Sequence, residues 1–135
     1  MRKLFSTRTS DSAFTIATLL LRLTGGILMI PHGFDKLAHF SEKSGKFMDP
    51  FGTGTTAALA MVVFAEFFCA AFLVMGLFTR LACIPLIVTM LVALFKAHGG
   101  AFFGDGQTAA LFLGIYLSIL LLGPGKVSLD RFIAK

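Results

Sequence analysis

The chain has 135 residues, of which 56% are hydrophobic and only 14% charged, and its mean hydropathy is +0.87. Soluble domains carry about a quarter charged residues, so this composition excludes an ordinary soluble enzyme and points to a chain surrounded by a lipid bilayer. The formal charge of +5 gathers at segment ends rather than along one face, which argues against nucleic acid as a partner and reads as an orientation signal.

Met1, Arg2, Lys3 and Arg8 make a basic head, followed by an apolar run from Ala13 to Phe34. The run is too long for a signal peptide, holds Arg22 and lacks a small-x-small cleavage site, so it reads as a retained first span. Gly25 and Gly26 would let a neighbouring helix approach closely. Pro31 predicts a kink or an unwound last turn, followed by an irregular, polar exit through His32, Gly33, Phe34, Asp35 and Lys36. Residues Leu37 to Thr56 are too polar to span. They suit a short amphipathic helix at the interface, with Phe40, Phe47, Met48 and Phe51 dipping inward. Thr55 or Thr56 is the expected cap of the next helix.

The run from Ala57 to Phe78 is apolar or small except for Glu66 near its middle, and it stops at Gly76, Thr79 and Arg80. Its length suits a helix crossing a hydrocarbon core. A carboxylate halfway along such a helix needs a partner, a proton or a watery cavity. A third run follows, with Pro85 near its start and Lys96 and His98 at its end, and then a glycine-rich loop over 99–106. The fourth run, Thr108 to Leu122, is closed by Gly123-Pro124-Gly125. The basic tail from Lys126 has Leu129, Phe132 and Ile133 available to rest on the membrane.

These elements predict an all-α fold, a four-transmembrane-helix bundle with an interfacial segment between helices 1 and 2, forming a single domain over 1–135. Both termini then share a face with Arg80, Lys126 and Arg131, and the positive-inside rule puts that face in the cytoplasm and the protein in the cytoplasmic (inner) membrane.

Depth follows from the helical rise. Counted from Ala13 and from Phe78, Arg22 lies about 14 Å and Glu66 about 18 Å from the terminal face. The two are therefore expected to pair in the middle of the membrane, either as a structural ion pair fixing helix register or as part of a working site. His32 and His98 fall about 26 to 29 Å up, sharing a layer with Asp35, Lys36 and Lys96. Bis-histidine haem needs two histidines at one depth, but Pro31 distorts the turn carrying His32. A metal site from His32, His98 and Glu66 is opposed by a gap of about 8 Å in depth. Cys69 and Cys83 have no metal-type spacing and read as reduced core residues. The phenylalanines read as packing and lipid contact.

A family resemblance rests on Leu21-Arg22-Leu23 through Gly25-Gly26 to His32-Gly33-Phe34-Asp35-Lys36-Leu37, on Glu66 with the Met75-Gly76-Leu77-Phe78-Thr79-Arg80 turn, and on Leu122-Gly123-Pro124-Gly125-Lys126 with Ser128-Leu129-Asp130. On these motifs the chain resembles the DoxX family of small four-helix membrane proteins over nearly its whole length. The resemblance implies a subunit or accessory of a membrane oxidoreductase system, similar to the small subunit of thiosulfate:quinone oxidoreductase or to complexes countering thiol stress. A quinone is then a candidate cofactor and a redox protein a candidate partner. The site expected from the residues is a pocket lined by His32, Lys36, Glu66 and His98, in which Glu66 and His98 relay protons and the phenylalanines hold an apolar tail. The alternative is a non-enzymatic adaptor or assembly factor for a partner complex. Transport and homo-oligomerisation stay open.

Overall fold

Ser10 opens helix α1 (Asp11–Ile27) by accepting the Ala13 N–H on its hydroxyl at 3.1 Å. Asp11 stands in the first turn, where a carboxylate suits the helix dipole. In the structure, a computed structural model that describes residues 2–49, 51–97, 99–100 and 103–134, this helix breaks at Leu28 and Met29 before α2 (Ile30–Ala38) resumes. Pro31 explains the break: it has no N–H to give the Ile27 carbonyl, and it sits in the first turn of α2, where none is needed. The distortion therefore precedes the proline. Beyond it the backbone is regular helix through Ala38, not the irregular exit expected, and Asp11–Ala38 forms one 28-residue apolar span.

The connection to the second span holds a single helical turn, α3 (Phe40–Lys43), and Phe40, Phe47 and Met48 are half-buried along it while Phe51 is exposed. Helix α4 (Thr55–Val63) starts without a side-chain cap, so neither threonine plays the expected role. Asp49 instead gathers the amides just ahead, accepting from Thr53 N at 3.0 Å and Gly54 N at 2.9 Å. The second span continues as a π-helical segment, Phe64–Cys69, and then as α5 (Ala70–Met75). Gly76 ends it in the left-handed region at φ 70°, a conformation that favours glycine.

The third span is α6 (Thr79–Val92) followed by a second π segment, Ala93–Ala97, and the fourth is α7 (Gln107–Leu122). Among the described residues three spans have the length and composition to cross a membrane, and α7 is a shorter apolar helix of 16 residues. The tail ends in the turn α8 (Asp130–Ile133). Helix α1 packs along α5 and α7, and α6 packs along α7 and the first π segment, so the four spans close into a ring. Cys69, Ala70, Leu73, Cys83, Leu86, Leu94, Tyr116 and Ile119 fill its centre. The outer surface carries exposed Ile16, Leu20, Ile27, Leu81, Ile84, Leu111 and Leu121. A large apolar exterior around an apolar core is stable in lipid and not in water.

Candidate functional site

Two polar centres lie inside this apolar shell, at opposite ends of the bundle. Arg22 forms the first. Only 2% exposed, it donates from Nε to the Leu73 carbonyl at 2.9 Å, from Nη2 to Val74 O at 3.1 Å, and from Nη1 to Pro124 O at 3.0 Å and to Val127 O. The Leu73 and Val74 carbonyls belong to the last turn of α5, where the Gly76 N–H reaches Leu73 O but leaves Val74 O open, so the guanidinium acts as a further cap supplied by another helix. The tail is stitched to the same place. Asp130 accepts Phe78 N at 2.7 Å and Thr79 N at 2.8 Å, and its own N–H donates to Gly76 O at 2.9 Å. A Cβ on Gly76 would meet Ser128 at 2.5 Å and the Arg22 guanidinium at 2.6 Å. The glycine turn, the Gly123-Pro124-Gly125 closure and the Ser128-Leu129-Asp130 tail are thus one knot tied around Arg22.

The expected pairing of Arg22 with Glu66 is not formed. Gly33 lies against the Glu66 backbone, and Arg22, 11 residues earlier, is about 16 Å away along the span. The depth count placed Ala13 level with Phe78. In the structure Thr18 already touches Gly125 and Arg22 is level with Gly76, so α1 begins well beyond the turn.

Glu66 forms the second centre, with a different cation. Its Oε2 accepts from Lys36 Nζ at 2.6 Å, and the two side chains are 8% and 22% exposed respectively. The helical backbone after Pro31 makes this contact possible, because Lys36 falls one turn beyond His32 on the same helix. Gly33 brings the helices together: a Cβ there would stand 2.6 Å from both Glu66 C and Phe67 N. Only glycine permits this approach, which carries the Lys36 stem across to the carboxylate.

Beside the pair is a cleft of about 260 Å³, lined by Met29, His32, Glu66, Met90, Ala93, Asp105, Thr108, Ala109 and Phe112. His32 is exposed at its edge, its ring edge-on to Phe112 at 6.2 Å between centroids. Phe112 in turn stacks on Tyr116 at 5.9 Å, whose hydroxyl donates to Gly25 O at 2.8 Å. His32 and Glu66 line one cleft and are not separated by the depth gap that the helical count gave. Each π segment sends a residue into the cleft, Glu66 from the first and Ala93 from the second. Such wide turns recur at functional sites in helices.

Asp35, expected in this layer, turns away to Lys43 at 2.7 Å and to His39. Lys96 belongs to the second π segment. His98 lies outside the described residues, and with it the expected relay and the expected histidine pairing. Asp105 is the cleft residue that the sequence reading passed over. Its signal was a lone acid in a glycine loop just ahead of the fourth apolar run. Cys69 and Cys83 are buried and unbridged, as their surroundings suggested.

An all-helical chain with an apolar exterior and an ion pair shielded between its spans is a small integral membrane protein. More particularly, it belongs to the DoxX family, whose model matches residues 17–99. It is also similar to an uncharacterized membrane protein of Mycobacterium tuberculosis, with 25% identity over 134 residues that cover 88% of this chain and 82% of that one. No solved structure matches.

Proposed function

We propose that the chain, acting as one unit over 1–135, is a subunit or accessory of a membrane redox system, quinone- or thiol-linked, and that the Glu66 cleft holds the headgroup of a small redox-active ligand. The observation that carries this reading is Glu66, held by Lys36 from outside the lining, on the wall of a cleft that also holds His32 and Asp105. A purely structural ion pair has no need of a cavity beside it. The cleft, at about 260 Å³, is smaller than the roughly 300–1,000 Å³ of drug-sized sites, which suits one ring and leaves an apolar tail outside among the phenylalanines.

In this role Glu66 accepts a hydrogen bond or a proton from the ligand headgroup, Lys36 holds the carboxylate in place, and His32 exchanges protons with the aqueous edge. His98 stays a candidate for a second proton relay. Electrons come from or go to a redox partner protein. The basic residues of the terminal face support a cytoplasmic orientation for that face in a cytoplasmic-membrane protein.

The test is to purify the chain from its native membrane and identify what it retains by absorption spectrum and mass. Wild type should carry a small redox-active molecule in near-equal amount, and Glu66→Gln and His32→Ala should lose it while staying folded. A folded, pure wild-type protein that carries no such molecule, and keeps a partner protein equally well with Glu66→Gln, would overturn this reading in favour of a non-enzymatic adaptor.

A further inference from the structure

A second feature lies outside the bundle core, on the seam between the second and third spans. Three surface cavities run into one another there. The one nearest the loops shares Phe64, Ile84 and Pro85 with the middle one, and the middle one shares Phe78 and Leu81 with the one at the terminal face. Together they make a groove along α6 from Val92 to Arg80, 12 residues or about 18 Å. One leaflet's hydrocarbon is about 15 Å thick, so the groove has the length of a single acyl chain.

What closes its lower end is a cation. Arg80 lies flat over Gly123, whose missing side chain makes room for it: a Cβ there would meet Arg80 Nη2 at 3.0 Å and Cζ at 3.4 Å. Gly123 also needs its freedom for a φ of 88°. No carboxylate or carbonyl among the described residues accepts from this guanidinium. The one acid in the same wall, Asp130, spends both oxygens on the Phe78 and Thr79 amides. Thr79, in the same wall, is fully buried and its hydroxyl has no partner among the described residues. Arg80 is therefore an uncommitted guanidinium at the end of an apolar groove, where the span leaves the membrane.

We infer that this groove is a binding site for one anionic phospholipid, with its phosphate on the Arg80 guanidinium and one acyl chain laid between the second span and α6. The planar fork of arginine matches two phosphate oxygens, and the phenylalanines with Ile84 and Pro85 supply an apolar wall for the chain. Charge complementarity selects the occupant: a partner helix would cover the apolar wall and leave the guanidinium unanswered, whereas an anionic lipid answers both.

The test is native mass spectrometry of the detergent-purified full chain, titrated with phosphatidylglycerol and with phosphatidylcholine of the same acyl chains. Wild type should retain one phosphatidylglycerol in preference to phosphatidylcholine. Arg80→Gln should weaken phosphatidylglycerol about tenfold and abolish the preference. Ile84→Trp, filling the exposed wall, should weaken both lipids alike, and Lys43→Gln on the opposite face should change neither. Inorganic phosphate should not compete at concentrations far above the lipid. Equal retention by wild type and Arg80→Gln, displacement by phosphate alone, or a lipid-free dimer occluding the seam would each overturn the assignment.

Discussion

Replacing Arg22 with methionine keeps much of the side-chain bulk and removes the guanidinium's donors from the terminal knot. Four carbonyls lose the guanidinium at once, those of Leu73, Val74, Pro124 and Val127, and Leu73 O keeps the Gly76 N–H. Hydrogen bonds inside membrane proteins average about 0.6 kcal/mol each, and those to charged groups in proteins reach about 1.5 kcal/mol or more. Four of them, partly replaced by water at the face, come to about 2–4 kcal/mol. Reversible unfolding of Arg22→Met in mixed micelles of mild detergent and dodecyl sulfate measures the loss. The same assay separates this geometry from an ion pair across the membrane. Groups that share no partner should be additive, so Arg22→Met and Glu66→Gln should sum to within about 0.5 kcal/mol. A coupling above about 1 kcal/mol, or an Arg22→Met variant as stable as wild type, would refute the knot.

Gly33→Ala forces a Cβ into the Glu66 backbone and should cost about 1–3 kcal/mol, while Gly114→Ala, with open space around it, should be neutral or gain up to about 1 kcal/mol in the same assay. Asp130→Ala removes the acceptor of the Phe78 and Thr79 amides, so it should cost about 1 kcal/mol and expose the tail to limited proteolysis. Tyr116→Phe should cost about 1 kcal/mol through the lost bond to Gly25 O. Lys36→Met strands a shielded carboxylate, so it should be less stable than the double variant Lys36→Met with Glu66→Leu; the reverse order would mean that Glu66 has another partner.

The spans were legible because apolar run length is a strong signal in lipid and needs no knowledge of neighbours. So was the need of Glu66 for a partner, which is a property of one residue in one environment. Which partner it takes is a matter of register between two helices, and register was read from an assumed common floor. Thr18 against Gly125 shows that α1 starts beyond that floor, and this overhang exchanged the partners of Arg22 and Glu66. That Lys36 continues a regular helix was hidden because Pro31 suggested an irregular exit. A proline in a first turn begins a helix as readily as it ends one, and the residues after it decide. The π segments left no mark in the sequence, since a wide turn is set by what packs around it. The tail motif was visible as a pattern, but its reason is the distant turn it caps.

The proposed site requires Glu66, held in place by Lys36, to serve a ligand rather than the lysine alone. The most direct measurement is equilibrium binding of a short-chain, water-soluble quinone to the pure, folded protein, comparing wild type with Glu66→Gln and Lys36→Met. Saturable one-to-one binding by wild type, weakened about tenfold or more in both variants, is the predicted result. Quinone affinity indistinguishable among the three would contradict it.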